Sequence, residues 1–235
     1  MEFDLTGFPL ARAEIGPAFA PVAADLGMQY RVAFSDDVPR VAILASRDPH
    51  CLTDLLARQA AREMAAEVRL VVSNHPDHAA TAEFYGVPYH HLPVTPATKA
   101  AQEDALRALL ASESIDLVVL ARYMQVLSDG FVAEYPSRII NIHHSFLPAF
   151  VGARPYRQAH ERGVKVIGAT AHYASEVLDD GPIIEQDVLR VSHRDSVEDL
   201  VRSGRDLERI VLARAVRAHL EHRVLVYGNK TVVFD

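Results

Sequence analysis

The stretch Asp116-Leu117-Val118-Val119-Leu120-Ala121 is apolar at every position after the first. A strand that exposes one face to water alternates polar and apolar side chains, whereas a strand covered on both faces is apolar throughout. The stretch therefore predicts an inner strand of a parallel sheet that has helices on both sides.

Similar apolar runs extend from this strand in both directions, and helix-like spacings lie between them. The other predicted strands are residues 40–45, 68–72, 87–93, 138–143, 164–172 and 182–188. A long helix from Ser196 to about Leu220 and a hairpin at residues 224–233 follow. The alternation of strands and helices predicts an α/β fold with a doubly wound, mostly parallel sheet.

Residues 1–36 differ from the rest of the chain and predict a separate small unit. Extended segments at residues 3–5 and 28–34 flank a helix-like stretch at residues 17–26, which predicts a β-α-β arrangement. Such a unit is too small to bury a core of its own. We therefore expect two parts, residues 1–36 and residues 37–235, of which the second contains the sheet.

Composition and charge exclude several classes of function. The net charge is −7, and Lys and Arg are scattered among Asp and Glu. The sequence therefore has no basic stripe of the kind that binds nucleic acid, and we expect no nucleic-acid partner. No apolar run is long enough for a membrane span, and the start lacks a secretory signal pattern. Cys51 is the only cysteine, which rules out an internal disulfide. We therefore expect a cytoplasmic protein with no membrane partner.

Polar side chains interrupt the strand predicted at residues 138–143. Because side chains alternate along a strand, Asn141 and His143 point to one face, while Ile140 and Ile142 pack on the other. Both polar residues lie near the carboxyl end of the strand, where open α/β sheets form ligand crevices. Asn141 and His143 could together hold a carbonyl oxygen as it becomes negative. Alternatively, Asn141 caps a turn and His143 is a buried structural histidine.

A second polar group lies further along the chain. Thr170 and His172 share one face of a predicted strand, where small alanines leave room for a ligand. Asp179 and Asp180 are adjacent, and each is expected to raise the pKa of the other carboxyl. A carboxylate with a pKa nearer neutrality can take a proton from water. The alternative is that Asp179-Asp180-Gly181-Pro182 is an ordinary turn.

The frequent histidines raise the question of a metal site. His143, His144 and His172 would be the ligands, but neither a His-Glu-x-x-His motif nor paired Cys-x-x-Cys spacing accompanies them. We therefore expect no metal, and a metal-dependent amidohydrolase is the more distant alternative.

These residues resemble the catalytic motif of the folate-dependent formyltransferase family. Asn141-x-His143, followed by Asp179 in Leu-Asp-x-Gly-Pro, is similar to that family's catalytic Asn, His and Asp, and His172 matches a further family histidine. The resemblance runs from about Arg40 to the end of the long helix. It implies the formyltransferase fold for that region.

Within the family the chain resembles the deformylase branch. The similar segments are residues 49–56, 121–127, 143–150, 152–156 and 226–231. The resemblance implies a hydrolase that converts 10-formyltetrahydrofolate to formate and tetrahydrofolate, supplying formate for purine biosynthesis and one-carbon balance. It also implies a small-molecule folate substrate, no cofactor, and a homo-oligomer whose size the sequence leaves open.

Two departures from family patterns qualify the resemblance. The segment Ala45-Ser46-Arg47-Asp48-Pro49-His50 contains no glycine, whereas glycinamide ribonucleotide transferases have a Gly-rich, phosphate-binding loop there. Phosphorylated amine acceptors would therefore lose their binding site. Residues 1–36 resemble only the latter part of the ACT domain that usually precedes such deformylases, which favours a truncation or a late start codon.

The resemblance also assigns roles to individual residues. Asp179 would activate the attacking water, directly or through an ordered water, while Asn141 and His143 stabilise the oxyanion and His143 or Asp179 protonates N10. The expected substrate-binding residues are Met124, Gln125, Leu127, His172 and Val177, with Arg122 and Arg154 as weaker candidates. Two alternatives stay open, a formyltransferase that uses an amine acceptor and a catalytically silent folate-binding sensor.

Overall fold

The computed structural model describes residues 3–149 and 155–234 and divides the chain into two compact units, residues 1–37 and residues 38–235. The division lies one residue from the boundary that the sequence predicts. None of the helices in the described ranges has the length and apolar character needed to span a bilayer.

The first unit contains one helix within its described residues, α1 (Arg12–Asp25). The strands predicted at residues 3–5 and 28–34 are wrong, because neither segment forms a β-ladder with any described residue. A strand needs a hydrogen-bonded partner strand, and large apolar side chains here, such as Phe3 and Met28, are exposed. The β-α-β arrangement expected of an ACT-like segment is therefore not seen in residues 3–37.

The second unit is built on a seven-stranded sheet. Its strands are β1 (Arg40–Ala45), β2 (Glu67–Ser73), β3 (Tyr89–His91), β4 (Leu117–Ala121), β5 (Ile139–His143), β6 (Val166–Tyr173) and β7 (Ile183–Arg190). Their order across the sheet is β3-β2-β1-β4-β5-β6-β7. Strands β1 to β5 are parallel, whereas β6 is antiparallel to β5 and β7 is antiparallel to β6. The prediction of a mostly parallel sheet is confirmed.

Helices connect the strands and cover both faces of the sheet. They are α2 (His50–Ala60), α3 (Ala79–Phe84), α4 (Lys99–Ser112), α5 (Asp129–Glu134), α6 (Pro155–Arg162) and α7 (Val197–Leu220). Val41 and Ile43 of β1 enter the core that includes α2 and α7. Ala42 and Leu44 enter the core on the opposite face, which includes α4 and α5. Burial on both faces therefore explains why the inner strands are apolar throughout.

The carboxyl-terminal elements follow from short local signals. The capping box predicted at the start of α7 is present, since Ser196 Oγ accepts a hydrogen bond from the Asp199 backbone and the Asp199 carboxylate accepts one from the Ser196 backbone. The predicted hairpin is formed by β8 (Val224–Tyr227) and β9 (Lys230–Val233), with Gly228 at φ +55° in its turn. Both predictions are confirmed.

Candidate active site

A cleft of about 660 Å³ opens at the carboxyl ends of the parallel strands. Asp48 and His50 reach it from the segment after β1, residues 122–127 from the segment after β4, and His143 and His144 from the end of β5. Open α/β sheets form ligand sites at this edge because several strand ends and their loops converge there. The polar residues predicted at the end of β5 lie in this cleft.

Four polar side chains meet inside the cleft, those of Asn141, His143, His172 and Asp179. Asn141 and His172 are directly opposed on the antiparallel strands β5 and β6, and Asn141 Nδ2 lies 3.2 Å from His172 Nε2. His143 Nδ1 lies 3.1 Å from Asp179 Oδ2, and His172 Nε2 lies 3.7 Å from Asp179 Oδ1. The structure thus brings together the three residues expected to be catalytic and also His172.

The carboxylate of Asp179 fixes the tautomer of His143. An ionised carboxylate only accepts hydrogen bonds, so the 3.1 Å contact puts a proton on His143 Nδ1. In the neutral ring the lone pair is then on Nε2, which is buried and has no hydrogen-bond partner among the described residues. His143, which lines the cleft, therefore has an unpartnered nitrogen that can take up a proton.

The expected rise in the pKa of Asp179 is wrong. Burial opposes ionisation of this carboxyl, but the hydrogen bond from His143, with His172 also close by, outweighs it and holds the pKa well below its ordinary value. Asp180 is exposed and is not among the main causes of the shift. Asp179 is therefore a carboxylate at neutral pH, better suited to hold a proton on His143 than to take one from water.

His172 orients the amide of Asn141. His172 Nδ1 lies 2.9 Å from the carbonyl oxygen of Tyr173, which only accepts, so Nδ1 carries a proton. In the neutral ring Nε2 can then accept a hydrogen bond from Asn141 Nδ2. One N–H of the amide is used in this contact, and the other remains available for a ligand.

The loop that carries Asp179 depends on close packing at Gly181. Asp179 has φ +56°, a left-handed conformation that Asp adopts more readily than most residues. Gly181 lies against the end of β6, where a Cβ would overlap the Tyr173 carbonyl oxygen and come within 3.3 Å of His172 Nδ1. Only glycine permits this packing, so Gly181 helps to fix Asp179 beside His143.

Replacing Gly181 by alanine is expected to push the Asp179 loop away from β6. We expect a loss of about 1–3 kcal/mol in the free energy of unfolding, as at other overpacked sites, and a lower catalytic rate per folded molecule. Urea unfolding and rate measurements on the folded fraction test this. Gly130→Ala is the matched control, because a Cβ at Gly130 meets nothing within 4 Å. Equal behaviour of the two variants would contradict the role of Gly181.

Thr170 has a structural role instead of the expected place beside a ligand. Its hydroxyl donates to the Ser145 carbonyl oxygen at 2.9 Å and accepts from the Leu147 backbone at 3.1 Å and from Gln186 Nε2 at 2.9 Å. These contacts use the hydroxyl fully, and Thr170 does not line the cleft. It holds the chain that follows β5, and so supports the position of His143.

The residues expected to bind substrate are only partly brought together. Met124, Gln125, Leu127 and His172 line the cleft, and the Met124 backbone donates to Ser46 Oγ at 2.9 Å. Val177 is 62% exposed and does not line the cleft, whereas its neighbour Leu178 does. Of the two weaker candidates, Arg122 lines the cleft and Arg154 lies outside the described residues.

Sequence reasoning missed a buried carboxylate beside this site. Glu208 is 1% exposed and accepts hydrogen bonds from His50 Nε2 at 2.9 Å and from the Tyr156 hydroxyl. Burial opposes its ionisation, but the hydrogen bond from His50 and the charge of Arg122 outweigh burial, so the pKa of Glu208 is lowered. The available signal was a glutamate within the apolar stripe of α7, next to Leu207.

Arg122 connects Glu208 to a second carboxylate. Arg122 Nε lies 3.3 Å from Glu208 Oε2, and an Arg122 terminal nitrogen lies 3.3 Å from Asp48 Oδ2. Asp48 also pairs with Arg205 at 3.0 Å. Arg122 has φ +63°, so two of the residues in the left-handed region, Arg122 and Asp179, line the same cleft. Backbone strain of this kind clusters at functional sites.

His144 is kept neutral by its surroundings. Burial and the nearby charge of Arg122 lower the pKa of His144 from 6.5 to about 4. As the pH falls, the unfolded chain takes up a proton at His144 near pH 6.5, whereas the folded chain does so only near pH 4. The folded state is therefore destabilised progressively across this window.

His144→Gln is expected to reduce the acid sensitivity of the fold. In the wild type the lowered pKa of His144 costs about 3 kcal/mol of stability once the pH is below both values. The variant cannot titrate, so its free energy of unfolding should fall less between pH 6.5 and pH 4. Urea unfolding at several pH values measures this, with His160→Gln, at an exposed position, as control. An unchanged pH dependence would refute the burial argument.

Within the described part of the chain, the three histidines considered as metal ligands, His143, His144 and His172, do not form a group with ligand atoms close enough to hold one ion. Among the described residues, the group that could hold a metal ion is His50, Cys51 and Glu208, which includes none of the cleft's catalytic candidates. Glu208 already accepts two hydrogen bonds and pairs with Arg122. Burial raises the pKa of Cys51 well above its usual value, so its thiol stays protonated. This group fits an ion-pair network better than a metal site.

Comparison with known proteins identifies similar chains along nearly the whole length. A formyl transferase family profile matches residues 39–216. A formyltetrahydrofolate deformylase from Synechocystis sp. is 57% identical over 234 residues, which is 100% of this chain and 82% of that protein. The sequence similarity therefore includes both the cleft and the first unit.

Solved structures agree with the sequence comparison. A formyltetrahydrofolate deformylase from Pseudomonas syringae pv. tomato has a TM-score of 0.94 and 52% identity, covering 97% of this chain and 76% of that one. Glycinamide ribonucleotide transformylase 1 from Symbiobacterium toebii has a TM-score of 0.80 and 32% identity, covering 89% of this chain and 99% of that one. The chain therefore belongs to the formyl transferase family and, within it, groups with the formyltetrahydrofolate deformylases.

Proposed function

We propose that this chain hydrolyses 10-formyltetrahydrofolate to formate and tetrahydrofolate. The observation that carries the proposal is the 3.1 Å pairing of His143 with Asp179, which leaves His143 Nε2 without a partner among the described residues of the cleft. Hydrolysis of a formamide needs a base for water beside donors for an oxyanion. Relatives that are 46–57% identical are named formyltetrahydrofolate deformylase, which supports the same substrate.

The first step is attack of water on the formyl carbon. His143 Nε2 takes one proton from the water while the water oxygen bonds to that carbon. The carbonyl oxygen becomes an oxyanion, which the free amide N–H of Asn141 and the newly protonated His143 ring stabilise. The Asp179 carboxylate stabilises the positive charge that the ring acquires.

The second step breaks the bond between the formyl carbon and N10. His143 returns its proton to N10, which leaves as the amine of tetrahydrofolate, and formic acid remains and ionises to formate. Asp179 acts through His143 in this scheme, because its lowered pKa makes it a weak base toward water. The motif alone had suggested that Asp179 acts on the water itself.

The pterin of the substrate is proposed to lie against the wall that contains Met124, Gln125 and Leu127. Other apolar side chains that line the cleft are Leu120, Val132 and Leu178. An aromatic ring system gains free energy when it is buried against such side chains, and Gln125 can bond to its polar edge. This placement would direct N10 and its formyl group toward His143.

Incubation of the purified protein with 10-formyltetrahydrofolate and no amine acceptor tests the proposal. We expect formate and tetrahydrofolate in equal amounts, in large molar excess over the protein. Formate that appears only after an amine is added would favour a formyltransferase. Folate binding by folded protein without any turnover would favour a sensor. Either of these results would overturn the proposal.

We extend the proposal to the setting of the reaction. The scheme uses neither a metal nor a cofactor, so a chelator should leave the rate of formate release unchanged. Activity that is lost to a chelator and restored by a metal would favour an amidohydrolase.

A single cysteine, Cys51, suits the reducing cytoplasm, where formate could supply purine biosynthesis. Assembly as a homo-oligomer and an ACT-like origin of residues 1–36 rest on the family resemblance alone.

A further inference from the structure

A polar arm of the cleft adjoins His143, since the centroid of the His144 ring lies 5.2 Å from that of His143 and 6.1 Å from that of Tyr156. We define the polar arm by the residues that line it, Asp48, His50, Arg122, His144, Tyr156 and Glu208. If the folate lies on the apolar wall, the attacking group must reach the formyl carbon from the remaining side. Any role of the polar arm in selecting the attacking group therefore rests on the proposed function.

The charges of the polar arm are already paired with one another. Arg122 lies 3.3 Å from both Asp48 and Glu208, and His50 lies 2.9 Å from Glu208. Because Arg122 lies between the two carboxylates and Arg205 also pairs with Asp48 at 3.0 Å, two positive charges balance two negative ones, and neither a phosphate nor an ammonium group would find an uncompensated opposite charge there. Displacing one member of such a buried pair leaves its partner unpaired, which is strongly unfavourable.

The packing of Tyr156 makes the arm rigid. A Cβ at Gly204 of α7 would overlap the Tyr156 hydroxyl, so this glycine lets the phenol lie against the helix and donate to Glu208. Tyr156 is 7% exposed and Glu208 is 1% exposed. The arm is therefore a preformed part of the core and not a set of surface side chains that a large ligand could push aside.

Small polar molecules, in contrast, find several partners along the arm. His50 Nδ1 and His144 Nδ1 are buried and have no hydrogen-bond partner among the described residues, as is true of His143 Nε2; Arg122 Nε also makes no hydrogen bond there, although it is ion-paired with Glu208 at 3.3 Å. All four residues line the same cleft. Buried polar atoms in proteins are normally paired with protein groups or with ordered water. Such nitrogens on residues that line one cleft are suited to ordered water.

We propose that the polar arm is the acceptor side of the cleft and that its fixed ion pairs restrict the attacking group to water. His50, Glu208 and Tyr156 are thus specificity-determining residues, since they occupy the space that an amine acceptor would need. Opening the arm should let an amine attack. Its nitrogen would bond to the formyl carbon, the bond from that carbon to N10 would break, and the amine proton would pass to N10.

Product partitioning in the presence of glycinamide tests this proposal. Wild-type protein with 10-formyltetrahydrofolate and glycinamide should yield formate with little N-formylglycinamide, both measured by chromatography. His50→Ala, which removes a side chain beside Glu208, should raise the ratio of N-formylglycinamide to formate by at least about tenfold. The ratio does not depend on how much of the variant is folded.

Two further variants and their controls complete the design. Tyr156→Phe removes only the hydroxyl that donates to Glu208 and should raise the product ratio less than His50→Ala does. If His50→Ala does not fold, the product ratio of Tyr156→Phe tests the specificity role of the polar arm. Glu208→Gln should also raise the ratio, with Glu221→Gln, at an ion pair remote from the cleft, as the control for loss of a carboxylate. His90→Ala, on β3 and outside the cleft, should keep the wild-type ratio.

The outcomes separate this inference from the function on which it rests. Wild-type protein that formylates glycinamide as readily as it hydrolyses, or variants that release formate at an unchanged product ratio, would overturn the specificity role. Absence of formate with the wild type would instead refute the proposed hydrolysis.

Discussion

Replacement of Asp179 by alanine is expected to lower the rate of formate release roughly a hundredfold or more. The carboxylate holds the proton on His143 Nδ1 at 3.1 Å and offsets the charge that the ring gains during attack. Without it the ring can adopt the other tautomer, in which Nε2 carries a proton and cannot accept one from water. Steady-state formate release, with folate affinity measured separately by fluorescence, tests this expectation.

The control for this variant lies at the next position. Asp180→Ala removes an exposed carboxylate from the same loop and keeps the backbone carbonyl that accepts a hydrogen bond from Asn229. We expect Asp180→Ala to keep near-normal turnover. If Asp179→Ala retains the wild-type rate, or if both variants lose activity equally, Asp179 does not support His143 as the base.

His143→Ala is expected to have an effect of similar size, roughly a hundredfold or more, because it removes the base itself. His143 and Asp179 act as one unit, so the double variant should be about as slow as each single variant and not slower by the product of the two losses. Formate release by the two single variants and the double variant measures this coupling. His91→Ala, at an exposed position on β3, is the control.

Independent effects would contradict the proposed pairing. If the losses in the double variant multiply, His143 and Asp179 contribute separately, and the 3.1 Å contact is not the basis of catalysis. A near-normal rate for His143→Ala would exclude this histidine as the base.

The sheet was predictable because a strand that is buried on both faces is apolar at every position. Strands such as Leu117–Ala121 are buried at every position, and in a chain that alternates strands and helices a continuous apolar run is typical of an inner strand. Helices α5 and α6 were not predicted, since neither short sequence shows an apolar spacing that stands out. The first unit was mispredicted because apolar segments do not specify whether a partner strand is present.

Some of the site residues could be predicted from their neighbours in sequence, whereas others depend on contacts between distant parts of the chain. The alternation of Asn141 and His143 is local, so their common face could be predicted from spacing alone. The contact of Asp179 with His143 needed the family resemblance, because no local pattern joins two positions on separate elements. The pKa of Asp179 was predicted in the wrong direction, since the neighbour in sequence was visible and the two histidines in space were not.

The contact of His50 with Glu208 could not be predicted from the sequence at all. His50 and Glu208 are 158 positions apart, and they meet only because the fold packs α2 against α7. A glutamate in an apolar helical stripe indicates a buried partner without identifying it. That partner could be identified only from the structure.

Hydrolysis in ¹⁸O-labelled water tests the central claim most directly, namely that water and not an amine attacks the formyl carbon. The purified protein would be incubated with 10-formyltetrahydrofolate in that water without an amine, and the formate analysed by mass spectrometry. We expect one labelled oxygen in each formate and one tetrahydrofolate released with it. Formate without the label, or consumption of the substrate without formate, would contradict this mechanism.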